Sequence, residues 1–385
     1  MPNIKSNKKK AIIVVGCSLG DEGKGTVTDY LTDYYKSNLV IRYNGGAQCA
    51  HNVHVEDKHF CFKQLSSGSL AGASTLLLDT VIINPITLIR EIREFRDTFG
   101  FVPTIYIHEN ALVTTPYHIY ANRIEENVLN HGSCGMGIYK TVQYDEKHGG
   151  IRIKDLGRYG LYEKITKVID NLRTDMSSVE YEKDENWKGL FINDVPEELN
   201  LDTIFQFFYN LMTIVNDDDC KKLINDSNTV IFEGAQGVLL DKDRGFLPHV
   251  SATDTTATLA ENFLKRINYD GEIIKLGILR SYLTRHGAGP FPSEDANTKL
   301  IGENNTFNDW QKNFRIGRMD YNIINYGLEY CPIDQLFITC LDNDPYEDDT
   351  AYLSRAYRVA NDLHIPLFGY SFGRDRLSKK LIKNI

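Results

Sequence analysis

The stretch Ala11–Thr26, AIIVVGCSLGDEGKGT, constrains the chain more than any other. Five apolar residues, Ala11 to Val15, read as a short buried strand. Gly16, Gly20, Gly23 and Gly25 punctuate the loop after it, and TVTDYLTDYY reads as the following helix. A strand, a Gly-rich turn and a helix start aim backbone N–H groups and the positive end of a helix dipole at one point, where a phosphate can sit. Lys24 adds a point charge for phosphate oxygens, and Asp21 and Glu22 add carboxylates. The spacing departs from the standard G-x-x-x-x-G-K-[ST] loop, although Gly20 to Thr26 keeps a related ending. An ordinary turn after a strand accounts for the glycines but not for DEGKG.

Beyond this stretch, strands and helices alternate. LVIRYN (39–44) reads as a second strand and ends in GGAQCAHNV; TLLLDTVIINP is another, followed by the amphipathic helix ITLIREIREFRDTF. LDTIFQFFYNLMTIV reads as a helix, and the acidic run DDD after it as a solvated loop. NTVIFEGAQG and IIKLGILRSYLTRHGAGPFPSE are strands that end in Gly-rich loops, and HIPLFGYSFGRDR makes a last strand and turn. The alternation predicts an α/β fold with a largely parallel central sheet covered by helices on both faces. One large domain is expected over residues 1–385, with helical insertions at about 115–230 and a distinct C-terminal part at about 330–385.

A hydrophobic content of 42% over 385 residues supplies ample core. The net charge of −9 argues against duplex nucleic acid as a polymeric partner. Seven cysteines without a CxxC pair suggest reduced thiols and a cytoplasmic setting. No run approaches the apolar length of a membrane span, and the basic start MPNIKSNKKK lacks the apolar stretch of a targeting signal.

Gly-rich loops recur after predicted strands: GDEGKG, GGAQCAH, HGSCGMG, EGAQG and HGAGPFP. In an open parallel sheet, loops at the carboxyl ends of strands share one edge, so these loops are expected to converge on one crevice.

GDEGKG, GG-x-x-x-x-H, FEGAQG-x-LLD, TR-x-GAGPFP-[ST]-E and a late LD, in that order, resemble adenylosuccinate synthetase from Ile12 to about Arg376. The resemblance implies a large α/β fold related to P-loop NTPases, usually a homodimer. It also implies a reaction that couples L-aspartate to C6 of a 6-oxopurine nucleotide, driven by a nucleoside triphosphate and Mg²⁺. By that resemblance Asp21 is the general base at purine N1, and His51 acts as acid toward O6 and the transferring phosphoryl group. Asp21 and the carbonyl of Ala50 would hold Mg²⁺. Gly20, Glu22, Gly23, Lys24, Gly25 and Thr26 would clamp the triphosphate. Asp342, with Ser371, Gly373 and Arg374, would meet its base. On the purine side, Gln236 would read the base edge and Ser133, Cys134 and Ser251 would contact phosphate; Gln48 stands where the family usually has Asn. Taken singly, His51 reads equally as a structural loop histidine, Asp21 as a helix cap and Asp342 as a strand-end carboxylate.

The departures fall on substrate contacts. The family's TTGR start and Arg-rich continuation are replaced by DWQKNFRIGRMD (309–320): Arg315 can still pair with an aspartate carboxylate, but the arginine near the ribose falls on Lys312. The arginine that crosses the dimer falls near Lys147 or His148, and the lysine before LD is Cys340. This pattern resembles the phage-type branch that makes N6-succino-2-amino-2′-deoxyadenylate from dGMP, where no 2′-hydroxyl needs a partner. Some members of that branch replace the catalytic aspartate, whereas Asp21 is present here. The sequence thus gives dGMP with ATP as first expectation, IMP with GTP as second, and an NTP-hydrolysing switch without ligation as a remote third.

Overall fold

The computed structural model describes residues 9–129, 133–157, 159–191, 210–300 and 314–382. Its centre is a ten-stranded sheet. From one edge to the other, the strands are Lys379–Leu381, Leu367–Ser371, Gln335–Thr339, Glu272–Arg280, Lys10–Gly16, Thr229–Glu233, Leu39–Arg42, Ser74–Leu77, Ile105–His108 and Thr213–Val215. Every neighbouring pair is parallel except Leu367–Ser371 with Lys379–Leu381. The expected α/β class with a largely parallel sheet therefore holds.

Both faces of the sheet are covered, as the continuous apolar run of the first strand requires. Ala11, Ile13 and Val15 face one way, into a cluster with Ile224, Phe263, Ile324 and Val359 from four helices. Ile12 and Val14 face the other way, against Val27 and Leu31 of the helix Lys24–Tyr35. Each fully buried side chain of this kind contributes about 1.5–3 kcal/mol. A third cluster joins Phe60, Phe62 and Leu77 to the helices Pro85–Phe99, Pro116–Leu129 and Leu161–Asp175.

Pro85–Phe99 shows how local sequence places this layer. Asn84 caps it by accepting from the Thr87 N–H at 3.2 Å, Pro85 opens it, and Gly100 in the left-handed region closes it. From its buried face, Glu91 accepts from the backbone N–H groups of Lys63, Gln64 and Leu65 at 2.7, 2.9 and 3.2 Å. Burial pushes this carboxyl up to about 7 against those hydrogen bonds. The strap it holds leads directly to Ser67.

Three local expectations are corrected. Thr213–Val215, read as the end of a helix, is the edge strand of the sheet, held against Ile105–His108; residues 201–209 of that segment lie outside the described part. The acidic run is not a loop but the first turn of the helix Asp217–Asn225. Asn216 and Asp219 form a reciprocal cap there, and the carboxylates sit at the positive end of the dipole. Finally, a strand the sequence did not announce, Lys379–Leu381, follows the last parallel strand.

None of the seven cysteines, all of them described, forms a disulfide. Among the described residues, no helix is long and apolar enough to cross a membrane.

Candidate active site

At the carboxyl end of the central strand the chain turns through Gly20, Asp21 and Gly23, at φ 94°, 59° and 88°, and enters the helix at Lys24. Glu22 does not face the cleft. Its buried carboxylate accepts from the Ser18 N–H at 3.0 Å, the Ser18 hydroxyl at 2.8 Å and the Gly20 N–H at 3.0 Å, and pairs with Lys24 Nζ at 2.6 Å. Burial works to raise its pKa, yet the Lys24 charge and these hydrogen bonds hold it below the usual range. Glu22 thus ties the loop together internally, and an ammonium with three donors has two left for phosphate oxygens.

The EGAQG loop closes on this turn. A Cβ on Gly237 would lie 2.2 Å from the Ser18 carbonyl oxygen and 2.5 Å from the Gly20 nitrogen, so only glycine permits the approach. Asn44 fixes the same loop by accepting from the Ala235 N–H at 2.7 Å and donating to the Asp254 carbonyl at 3.0 Å.

His51 opens the strand His51–Val55 of a short hairpin with Lys58–Phe62. Its Nδ1 lies 2.6 Å from Glu233 Oε1, and Glu233 also accepts from the Ser67 N–H at 2.9 Å and the Ser67 hydroxyl at 2.5 Å. With Nδ1–H given to a carboxylate, Nε2 is the nitrogen that remains for a ligand. Burial lowers the imidazole pKa against the pull of Glu233. Burial works to raise the carboxyl of Glu233, but Arg42 and His51 hold it low, so the resting pair is a neutral imidazole on a carboxylate. Gly25 makes room: a Cβ there would lie 2.6 Å from His51 Cβ and 2.8 Å from the Ser67 hydroxyl.

Asp21 is raised above the ordinary carboxyl range by burial, in opposition to Arg280, His286 and Lys24. A carboxyl with raised proton affinity is suited to general-base work.

These groups share one cleft of about 680 Å³. Gly20, Asp21, Gly23, Lys24, Gly25, Thr26, Ala50 and His51 line it, as do Gln48, Cys134 and Gln236; so do Asp342, Ser371, Gly373 and Arg374. The expected convergence of Gly-rich loops is therefore present, with one amendment: the HGSCGMG loop follows a helix, not a strand, and reaches the cleft through Cys134 and Met136. Of seven described non-glycine residues with positive φ, three line this cleft: Asp21, Gln236 and Cys340. Backbone strain concentrated in this way is characteristic of functional sites.

Several sequence candidates stand elsewhere. The Ser133 hydroxyl is engaged with Asn122 at 3.1 Å, and the Ser251 hydroxyl lies 3.3 Å from that of Thr253; neither serine lines the cleft. Lys147 and His148 both pair with Asp175, at 2.5 and 2.9 Å, away from the cleft. The guanidinium fork of Arg315 is taken by Glu294 at 2.9 and 2.5 Å, and its Nη1 reaches the carbonyls of Gly287 and Gly289. Lys312 lies outside the described residues.

Conversely, Glu233, Ser67, Arg280, Tyr282 and His286 were not singled out as site residues. Glu233 was within reach, because it is the carboxylate of the FEGAQG motif at a strand end. Arg280 had a weaker signal, a charge closing an apolar run. Ser67 had none, since its role depends on a fold-level meeting.

Comparison with known proteins agrees with this architecture. A family model described as adenylosuccinate synthetase matches residues 13–366. The adenylosuccinate synthetase of Thermoplasma volcanium is 29% identical over 354 residues, spanning 88% of this chain and 77% of that protein. Its counterpart from Chlorobium phaeobacteroides is 30% identical over 356 residues, with 89% and 78% covered. Among solved structures, fully ligated adenylosuccinate synthetase from Plasmodium falciparum is similar at a TM-score of 0.76 and 21% identity, covering 97% of this chain and 99% of that one. Cyanophage S-2L succinoaminodeoxyadenylate synthetase, bound to dGMP and to dATP as an energy donor, is similar at a TM-score of 0.67 and 15% identity, covering 97% and 95%. At these identities the solved structures speak for a shared fold.

Proposed function

The chain belongs to the adenylosuccinate synthetase family of C–N ligases, and from that premise we propose that it joins L-aspartate to C6 of dGMP through a 6-phosphoryl intermediate, with ATP as phosphoryl donor. The observation that carries the reading is the meeting of Asp21, Lys24, His51 and Gln236 in one cleft.

A 6-oxo group leaves poorly, so the oxygen must first be phosphorylated. Asp21 takes the proton from purine N1, and the charge passes to O6, which attacks the γ-phosphorus as the nucleoside diphosphate departs. Lys24 and the N–H groups at the helix start neutralise charge on the phosphate oxygens. With negative charge gathering beside it, Nε2 of His51 takes up a proton from solvent, Glu233 stabilises the resulting imidazolium, and the imidazolium hydrogen-bonds the phosphoryl oxygen. The neutral α-amine of aspartate then attacks C6, the C6–O bond breaks to release phosphate, and the proton shed by the new C–N nitrogen leaves with the phosphate.

Asp21 and the carbonyl of Ala50 both line the cleft and suit Mg²⁺, which takes few protein oxygens and keeps phosphate and water ligands. Bound there, Mg²⁺ would neutralise charge on the triphosphate.

Support for dGMP comes from Lys312 in place of the family's arginine near the ribose, and support for ATP over GTP from Cys340 in place of its lysine. Support for IMP with GTP comes from Asp21 itself and from relatives named adenylosuccinate synthetase. With L-aspartate, Mg²⁺ and ATP or GTP supplied, dGMP is expected to give the succinylated product, read by mass, at a kcat/KM at least about tenfold above that of IMP. Preferred turnover of IMP would move the enzyme to the second reading; hydrolysis of triphosphate unchanged by omitting aspartate would leave only an NTPase.

In the first reading Arg315 receives the aspartate carboxylate, and it can do so only by exchanging Glu294. Glu294→Gln is therefore expected to lower the KM for aspartate several-fold with kcat little changed. An unchanged KM would make Arg315 a clamp on the Gly287–Gly289 loop instead. The working unit in this reading is a homodimer, with Lys147 or His148 reaching the neighbouring cleft.

A further inference from the structure

We propose that Arg280 and Thr339 form a paired clamp that positions Asp21, a role that rests on the reading of Asp21 as the base. The two residues are register partners on adjacent strands, Glu272–Arg280 and Gln335–Thr339. Both strands end beside the GDEGKG turn, and the first of them pairs in parallel with the central strand, Ile278 opposite Gly16. From these ends the side chains catch two successive main-chain carbonyls. Arg280 Nε donates to the Asp21 oxygen at 2.5 Å, and the Thr339 hydroxyl donates to the Glu22 oxygen at 2.6 Å.

The conformation that they hold needs holding. Asp21 sits at φ 59°, in the sparsely populated left-handed region, which aspartate enters more readily than most residues but which still has to be selected over the commoner conformations. Two donors locked onto consecutive peptides supply such a constraint. The donors are themselves fixed. Arg280 is 7% exposed and donates through Nη1 to the Tyr282 hydroxyl at 2.8 Å; its guanidinium lies 5.4 Å from the Tyr282 ring centre and 5.8 Å from that of Phe314. Thr339 is buried against the same loop. A planar fork held on two aromatic rings has little rotamer freedom left, so the position of Asp21 is referred to the sheet rather than to a loop. Asp21 and Arg280 both border the cleft, which makes the contact reachable from solution.

The test compares Arg280→Ala, Arg280→Lys and Thr339→Val with Asp21→Asn in the full-length enzyme. A displacement of the base by a fraction of an ångström is expected to lower kcat about 10²-fold in Arg280→Ala and about tenfold in Thr339→Val. KM values for both nucleotides should stay within about threefold. Lysine keeps the charge but not the fork, so Arg280→Lys should recover only part of the loss. Millimolar guanidinium added to Arg280→Ala should restore activity, which a general loss of folding would not allow. Near-normal kcat in Arg280→Ala and Thr339→Val, with Asp21→Asn inactive, would overturn the clamp and leave the base reading standing. A rise in nucleotide KM at unchanged kcat would also overturn it, making Arg280 a substrate contact. Sustained ligation by Asp21→Asn would overturn the base reading and the clamp together.

Discussion

Asp21→Asn is expected to lose ligation by at least about 10³-fold while binding the purine nucleotide nearly as well as the parent enzyme. The substitution is close to isosteric, and asparagine tolerates positive φ at least as well as aspartate, so the turn at φ 59° survives. Arg280 and Thr339 hold main-chain oxygens, which the change does not touch. What is lost is a basic oxygen. Burial raises the proton affinity of the Asp21 carboxyl against the pull of Arg280, His286 and Lys24, and an amide has no comparable proton affinity to replace it. Without removal of the purine N1 proton, O6 stays a weak nucleophile and the phosphoryl transfer fails first. Single-turnover product formation read by mass, with dGMP and IMP affinity read by calorimetry, checks both halves. Turnover within about tenfold of the parent would remove Asp21 from the role of base.

The sequence carried this site further than it carried the contacts that support it. The Gly-rich loops were legible because each reports a local backbone need, and a parallel sheet gathers strand ends at one edge. Apolar runs such as Ala11–Val15 were legible because a strand buried on both faces has no polar alternation. Thr213–Val215 was not, since three residues at a sheet edge carry too little periodicity to outweigh the aromatic segment before them. The acidic run could have been read as a helix start, because Asn216 and Asp219 stand at cap spacing. The side chains of Glu22 and Arg315 both have partners within the chain that their motifs did not announce. Lys24, two residues on, takes the first, and Glu294, from a different strand-end loop, takes the second. No spacing rule distinguishes a charge kept for substrate from one spent on the fold.

Glu233 shows the cost of that blind spot, and the second large effect is expected there. Glu233→Gln should lower kcat about 10²–10⁴-fold, the range for a carboxylate behind a working imidazole that becomes an amide. The glutamate fixes the tautomer that leaves Nε2 to the ligand and stabilises the imidazolium once a proton is taken up. It also anchors Ser67 through both the N–H and the hydroxyl, which places the strap held by Glu91 against the first helix. In Glu233→Gln one acceptor is lost from this set, at about 1–3 kcal/mol, offset in part because a buried charge is removed as well. A thermal midpoint a few degrees lower is therefore compatible with the expectation, provided kcat is measured well below it. His51→Ala should lose at least as much rate as Glu233→Gln. The double variant should lose little more rate than His51→Ala alone, because the carboxylate reaches the reacting atoms only through the ring. Losses that multiplied in the double variant would show that Glu233 serves catalysis by another route. A Glu233→Gln enzyme with kcat near the parent value would reduce the His51–Glu233 pair to packing.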